Sequence, residues 1–175
     1  MSVVPVIDPD QAGVWMDECL RLAAHAGHSG NYALGAVVVR DGEVLARSGS
    51  ALVGGHDPSA HPEMTAIRAA AAQVGSRYLP GAVLVSTLEP CVMCAGAAIW
   101  AKLDGIVFGA SQDDAITWAR QHPDPLYTWR QIRISCQAVV DRGEPKLAVL
   151  GGVRRHECVE LFGVPSRSRG DAGGG

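Results

Sequence analysis

Two short clusters in this 175-residue sequence carry residue types that bind metals and move protons. His61 is followed two positions later by Glu63, and Cys91 is followed three positions later by Cys94. Cysteines with this spacing on the first turn of a helix lie on one face, so their sulfurs can share a metal ion. The positive end of the helix also favours the thiolate, which is the form that binds metals. Two thiolates and one imidazole on Zn²⁺ would make an electrically neutral centre with three protein ligands.

Three protein ligands leave the fourth tetrahedral position for water, which is typical of a catalytic zinc site. Such water loses a proton near neutral pH, and Glu63 is near enough to His61 to take that proton without being a ligand. Taken alone, the cysteine pair could instead be redox-active or half of a structural zinc site. A fourth ligand for a structural site could come from Cys19, Cys136, Cys158 or His56. The order of the two clusters, about thirty residues apart, favours catalytic zinc.

A sheet with helices packed against it must hold these clusters in place. Each cluster begins a predicted helix, at 62–74 and at 91–102. Asp8 and Pro9 are typical of a helix start, and Asp41 with Gly42 is typical of a two-residue hairpin turn. Further helices are predicted at 9–26, 130–141 and 153–162, and strands at 34–40, 43–48, 82–88, 105–109 and 147–150. Strands that alternate with helices predict an α/β sandwich with a mixed sheet.

The composition is that of a globular chain with a hydrophobic core. Apolar residues make up 47% and charged residues 19%, and the formal net charge is −3. This balance excludes a strongly basic nucleic-acid binder, although a local basic patch stays open. The length predicts a single domain over 1–164, and the Ser, Arg and Gly residues of 165–175 predict a flexible tail.

Targeting features point to the cytoplasm. The first ten residues lack the basic start and apolar core of a secretory signal, and no stretch is apolar enough to span a bilayer. The five cysteines are an odd number, which without an export signal indicates free thiols or metal ligands rather than a disulfide scaffold. We therefore expect a cytoplasmic protein with no membrane partner.

The order His-x-Glu followed by Pro-Cys-x-x-Cys resembles the signature of the cytidine deaminase-like superfamily of zinc deaminases. The resemblance extends over 35–39, 57–68, 87–97 and 107–110, where the sequence is similar to tRNA adenosine deaminases and bacterial guanine deaminases. With the intervening residues it covers about 14–162, most of the chain. The resemblance implies a three-layer α/β/α sandwich around a five-stranded mixed sheet, in an enzyme that forms homodimers.

The resemblance also implies a role for each residue of the two clusters. His61, Cys91 and Cys94 would hold one Zn²⁺ per chain, and Glu63 would carry protons between water, substrate and the leaving amine. The implied reaction is hydrolytic deamination of a free nucleobase or nucleoside, with a guanine-type purine favoured and ammonia released. A tRNA adenosine deaminase is the first alternative, and a non-catalytic zinc-stabilised binding module is the second.

Two positions depart from the pattern of these relatives and bear on the substrate. Relatives usually carry a base-binding asparagine where this sequence has Ser50, whose single hydroxyl cannot offer an amide's paired donor and acceptor. Between the histidine and the glutamate, relatives usually have alanine or glycine with an N–H near the base, whereas Pro62 has no N–H. Proline is equally well suited to a helix start. The reaction class therefore carries over, whereas the substrate does not.

Substrate contacts are also predicted outside the two clusters. Glu89 precedes the cysteines, and Trp118, Tyr127 and Trp129 lie in the later part of the chain, from which relatives often close over the base. An aromatic ring there could stack on the substrate, or equally pack in the core or at a dimer contact. A nucleic-acid partner is disfavoured, because the arginines near the chain's end are interspersed with acidic residues. These residues are Arg154, Arg155, Arg167 and Arg169, with Glu157, Glu160 and Asp171.

Overall fold

A computed structural model describes residues 7–123 and 132–164, which contain a five-stranded sheet with helices on both faces. The strands are β1 (Gly35–Arg40), β2 (Glu43–Gly49), β3 (Ala82–Leu88), β4 (Gly105–Ala110) and β5 (Ala148–Leu150). The helices are α1 (Pro9–His28), α2 (Leu52–Gly55), α3 (Pro62–Val74), α4 (Val92–Trp100), α5 (Gln112–Gln121), α6 (Cys136–Val140) and α7 (Arg155–Glu160). A 3₁₀ turn over Leu161–Gly163 follows α7.

The sheet is mixed, with the strand order β2-β1-β3-β4-β5. β1 pairs antiparallel with β2 and with β3, whereas β3, β4 and β5 run parallel. The turn from β1 to β2 uses Asp41 and Gly42 at φ values of 53° and 80°, as a tight two-residue hairpin requires. Because α4 connects the parallel strands β3 and β4, it begins at the edge of the sheet where both strands end.

Alternate residues of the strands build two separate cores. Ala36 and Val38 of β1 pack with the buried faces of α3, α4 and α6. Val37 and Val39 of the same strand pack on the opposite side with α1 and α7. Successive strand residues point to opposite faces of a sheet, so each face has its own layer of helices. The predicted three-layer α/β/α sandwich is confirmed.

Most predicted elements agree with the structure to within two residues, and the main difference lies late in the chain. A helix is predicted over 130–141, and among the described residues of that range only α6 is helical. The Ser135 hydroxyl sets the start of α6 by accepting the Ala138 N–H at 3.1 Å. The residues just before it, 132–135, are not helical. The last helix starts at Arg155, since Gly152 and Arg154 adopt left-handed backbone angles that a helix does not continue.

None of the helices that the structure describes is long and apolar enough to cross a membrane. The predicted tail at 165–175 lies outside the described residues, as do Tyr127 and Trp129. The extent of the domain over 1–164 stays a prediction.

Candidate metal and active site

The metal-ligating residues lie at the starts of two helices. His61 is the N-cap of α3, with φ −60° and ψ 144°, and Cys91 is the N-cap of α4, with φ −67° and ψ 173°. Neither side chain caps its own helix by a hydrogen bond, so both turn away toward each other. Cys94 lies on the first turn of α4 and is fully buried. The positive ends of α3 and α4 thus meet at one point, where they favour bound thiolates.

The three ligating atoms form a nearly equilateral triangle. The Cys91 and Cys94 sulfurs are 3.6 Å apart, and His61 Nδ1 lies 3.7 Å from the first sulfur and 3.6 Å from the second. Tetrahedral zinc, with bonds of about 2.3 Å to sulfur and 2.0–2.1 Å to nitrogen, separates two sulfurs by about 3.8 Å and sulfur from nitrogen by about 3.6 Å. The triangle therefore fits one zinc ion, and its three corners leave the fourth coordination position open.

Hydrogen bonds among the three ligating side chains shift their pKa values in different directions. The Cys94 thiol hydrogen-bonds to the Cys91 sulfur and, with His61, lowers the pKa of Cys91 to about 4. The same contact, reinforced by burial, raises the pKa of Cys94, and a hydrogen bond with Cys91 raises the pKa of His61. These opposite shifts favour one thiolate in the pair and oppose the formation of a second. Uptake of a metal ion must release protons from this cluster.

Glu63 projects from the first turn of α3 to the side of this triangle. It is only 5% exposed, and its Oε1 accepts a hydrogen bond from the Ser86 hydroxyl at 3.0 Å. Its Oε2 lies 3.7 Å from the Cys94 sulfur. Burial raises the pKa of the Glu63 carboxyl above its usual value. A buried carboxyl group with a raised pKa, next to a metal site, is suited to accept and return protons near neutral pH.

Ser86 is a site residue that sequence reasoning missed. It lies in β3, is 1% exposed, and faces α3, so that its hydroxyl reaches Glu63 across the interface between sheet and helix. The available signal was a polar pair, Ser86 and Thr87, within a strand that is otherwise apolar, with Ser86 five residues before Cys91. Because the partner of this serine is 23 residues away in the chain, its role follows only from the fold.

Ser50 and Pro62 occupy buried positions near the metal-binding edge. Ser50 directly follows β2, and its N–H donates to the Leu34 carbonyl oxygen at 2.9 Å. The side chain is 4% exposed, and its hydroxyl has no hydrogen-bond partner among the described residues. Pro62 is fully buried as the first residue of α3, a position that needs no N–H. Their predicted contacts with a substrate stay predictions.

The structure gives Glu89 and Trp118 partners within the protein. Both oxygens of the Glu89 side chain accept hydrogen bonds from backbone N–H groups, those of Gln112 and Cys136. Trp118 stacks on His122, with 4.3 Å between ring centroids, and meets Phe162 edge-on at 6.1 Å. These contacts account for both side chains structurally, and a contact of either with substrate stays a prediction.

A surface groove of about 1250 Å³ lies next to the metal site. Its lining includes Glu89 and Val92, which flank Cys91 in the chain, and the exposed Trp100 of α4. Among the described residues that line it, neither the three metal ligands nor Glu63 is found. The groove is therefore a neighbour of the site rather than its interior.

Comparison with known proteins identifies the family. The model of the cytidine and deoxycytidylate deaminase zinc-binding region matches residues 9–110, more than half of the chain. The tRNA-specific adenosine deaminase of Aquifex aeolicus is 36% identical over 91 residues, which are 52% of this chain and 60% of that protein. The guanine deaminase of Bacillus subtilis is 38% identical over 91 residues, covering 52% of this chain and 57% of that protein. The chain thus matches about three fifths of the length of these curated relatives.

A solved structure supports the same assignment. It comes from biochemical and structural studies of A-to-I editing by tRNA:A34 deaminases at the wobble position of transfer RNA. It shares 31% sequence identity and a TM-score of 0.64 with this chain, covering 85% of this chain and 98% of the solved one. The five-stranded sheet, the His-Cys-Cys triangle and the match over 9–110 agree, and the chain belongs to the family of the cytidine and deoxycytidylate deaminase zinc-binding region.

Proposed function

We propose that this chain is a hydrolytic deaminase that converts an exocyclic amine of a free nucleobase or nucleoside to a carbonyl and releases ammonia. A guanine-type purine is the favoured substrate. The observation that carries the proposal is Glu63, a buried carboxyl group that lies beside the metal triangle and is held there by Ser86. A purely structural zinc site has no need for such a group.

The proposed reaction replaces nitrogen by oxygen at one ring carbon. A C–O bond forms with water, a C–N bond breaks, and no oxidation state of a cofactor changes. Zinc, when bound, supplies a Lewis acid that makes water acidic near neutral pH. Glu63 takes one proton from the attacking water and delivers it to a ring nitrogen. It then passes the second proton of that water, from the hydroxyl now bonded to the ring carbon, to the leaving amine. Its burial excludes bulk water, and the Ser86 hydrogen bond fixes which oxygen faces the substrate.

Charge pairing favours a small substrate over tRNA. Binding of a phosphate backbone depends on available lysines and arginines. In α7 and its N-cap, Arg154 pairs with Asp17 and Glu157, and Arg155 pairs with Asp114. These pairs neutralise the arginines that would otherwise offer a basic patch near the end of the described chain. The similarity to the Bacillus guanine deaminase supports a purine.

The substrate would meet an unusual set of contacts. The Ser50 hydroxyl is buried without a partner among the described residues, so a polar atom of the substrate can supply the missing hydrogen bond. Pro62 offers no N–H at the start of α3, which removes one donor from the same edge. We propose that Ser50 contacts the heterocycle and that Trp118, Tyr127 or Trp129 contributes a stacking ring.

The decisive experiment measures ammonia release by zinc-loaded protein from a panel of substrates. The panel contains guanine, guanosine, adenine, adenosine, cytosine, cytidine, aminated triazines and bulk tRNA. Glu63→Gln is compared with Glu43→Gln, which removes an exposed carboxylate at the start of β2 and serves as the matched control. We expect Glu63→Gln to lose about 10²–10⁴-fold in kcat while keeping its zinc, and Glu43→Gln to keep full activity.

The same experiment separates the alternatives. Release of ammonia from one small compound, dependent on Glu63, supports the proposal. Release from tRNA alone would establish tRNA adenosine deaminase, which the likeness to the Aquifex enzyme and to the solved tRNA deaminase favours as the second candidate. A zinc-loaded protein that releases no ammonia from any member of the panel would refute the proposal in favour of a zinc-stabilised binding module.

We also propose that the chain forms a homodimer through the groove beside α4. Trp100 is 83% exposed and Ile134 is 46% exposed, and both line this groove. The rim carries charges of both signs: Arg133 and Arg142 are positive, and Asp113 is negative. In a two-fold interface the same patch faces itself, so a rim of mixed sign can pair with its copy. A second copy therefore suits this groove.

The dimer is tested by light scattering after size-exclusion chromatography. We expect Trp100→Asp to give a monomer, while Val14→Asp, which alters another exposed apolar residue, on α1, leaves the dimer intact. A wild-type monomer at high micromolar concentration would refute the assignment.

We propose a reducing, cytoplasmic location, because all five cysteines are free and two of them form the metal site.

A further inference from the structure

The Glu89 side chain connects the segment between β3 and α4 to two other helices, α5 and α6. It lies between the end of β3 and the start of α4, two residues before Cys91, and is only 8% exposed. Its Oε2 accepts the Gln112 N–H at 2.9 Å, and its Oε1 accepts the Cys136 N–H at 2.8 Å. Both oxygens of a buried acidic side chain are therefore satisfied by backbone donors from two other parts of the chain.

The two donors are the first residues of two helices. Gln112 begins α5 and Cys136 begins α6, and the N–H groups at a helix start have no partner within the helix. Each helix already has its own N-cap, since the Ser111 hydroxyl accepts the Asp114 N–H and the Ser135 hydroxyl accepts the Ala138 N–H. Glu89 thus adds a second capping interaction to both helices, and it does so from outside them.

The same contacts immobilise the residue that precedes the metal loop, the segment 90–94 that carries both sulfur ligands. The Glu89 N–H donates to the Ala110 carbonyl oxygen at 2.8 Å, which continues the pairing of β3 with β4. With its backbone held by β4 and its side chain held by α5 and α6, Glu89 has little freedom to move. Pro90 and Cys91 follow at once, so the position of the first sulfur ligand depends on this anchor.

We propose that Glu89 is a positioning residue that fixes the Cys91 sulfur for metal binding by tying the metal loop to the starts of α5 and α6. It acts through Cys91 and does not itself touch the metal or the substrate. The inference rests on the zinc site of the proposed function and requires no particular substrate. Groups that orient metal ligands typically change metal affinity or activity by 10–100-fold when removed.

The test compares Glu89→Ala and Glu89→Gln in zinc affinity and in the visible absorption of the Co²⁺-substituted protein. We expect Glu89→Ala to bind zinc about tenfold more weakly in competition with a chelator, and to shift the Co²⁺ absorption bands. Glu89→Gln should recover part of this loss, because the amide oxygen can still accept one of the two backbone N–H groups. It also provides the readout if the alanine variant does not fold.

Two serine variants serve as matched controls. Ser111→Ala and Ser135→Ala weaken the caps of the same two helices but leave the connection to the metal loop in place. We expect both to lower the melting temperature while zinc affinity stays within twofold and the Co²⁺ bands stay unchanged.

Two outcomes would overturn the proposal. In the first, Glu89→Ala lowers the zinc affinity no more than a serine variant of equal melting temperature does, which would leave Glu89 a purely structural residue. In the second, Glu89→Gln raises KM with an unchanged Co²⁺ spectrum, which would make Glu89 a substrate contact. Failure of the deaminase proposal would show separately, as wild-type protein that binds zinc and releases no ammonia.

Discussion

Replacement of Cys94 by serine tests whether the triangle of ligands holds the metal that stabilises this fold. Cys94 is fully buried, and its sulfur lies 3.6 Å both from the Cys91 sulfur and from His61 Nδ1. Because the ligands come from the starts of α3 and α4, which meet only in the folded chain, the native state binds zinc far more tightly than the unfolded one. We therefore expect zinc to stabilise the wild-type protein, and Cys94→Ser to remove that effect.

The expected magnitude follows from mass action. A ligand that binds only the native state at 1,000 times its Kd adds about 4 kcal/mol to the free energy of unfolding. For a domain of this size, each kcal/mol raises Tm by about 2–4 °C, so zinc should raise the Tm of the wild type by roughly 8–16 °C. The Cys94→Ser protein should show a zinc-induced shift of no more than about 2 °C, because serine at that corner cannot replace a thiolate ligand.

The assay is a thermal melt in chelator-buffered zinc, with metal content measured by mass spectrometry. Cys136→Ser is the matched control, because Cys136 is equally buried and close to the site, yet its side chain lies outside the triangle. Both variants lose some packing, but only Cys136→Ser should keep one zinc per chain and the full Tm shift. A Cys94→Ser protein that retains both, or a Cys136→Ser protein that loses both, would refute the ligand assignment.

Three further predictions concern the supports of the site and the packing of α7. Under the proposed function, Ser86→Ala should lower kcat/KM about tenfold with zinc retained, measured by ammonia release, since the Glu63 carboxyl group loses its buried hydrogen bond. The Arg155 guanidinium lowers the pKa of Asp114 from 3.8 to about 2, so this ion pair stabilises fully above pH 3.8 and is lost as pH falls toward 2. Asp114→Asn should therefore lower the free energy of unfolding by about 1–2 kcal/mol at pH 7 and by nearly nothing near pH 2, in urea titrations. Gly109→Ala should destabilise the fold by about 1–3 kcal/mol in thermal melts, because its Cβ would lie 2.2 Å from the Cys158 sulfur, and an unchanged Tm would contradict this packing.

The helices that carry the metal-ligating residues could be predicted, α3 to the residue and α4 to within two residues, because their limits are set locally. Pro62 starts α3, and Gly75 ends it at a φ of 71°. Proline is common at the first position of a helix and glycine just after the last, so both limits can be predicted from the sequence. The metal ligands could be predicted for the same reason. His61 and Cys91 are the caps of two helices, and the spacing from Cys91 to Cys94 places both sulfurs on one face.

What could not be predicted depends on contacts between distant parts of the chain. The extent of α6 is one case. The helix begins at Cys136, where the Ser135 cap and a hydrogen bond to Glu89, 47 residues earlier in the chain, both act. Glu89 is the second case, since only the fold shows that two helix starts use both of its side-chain oxygens. The hydrogen bond from Ser86 to Glu63 is hidden from sequence reasoning for the same reason.

The proposed contact of Ser50 with substrate predicts opposite effects of this hydroxyl on stability and on specificity. Ser50 is 4% exposed, and its buried hydroxyl has no hydrogen-bond partner among the described residues, an arrangement that costs about 1–3 kcal/mol of desolvation in the folded protein. A substrate atom that hydrogen-bonds to this hydroxyl would offset the cost only in the complex. We therefore expect Ser50→Ala to raise the free energy of unfolding by up to about 1 kcal/mol, measured in urea, while kcat/KM for the physiological substrate falls about tenfold or more. If Ser50→Ala instead lowers stability, the hydroxyl has a partner within the protein, and the substrate contact assigned to it is wrong.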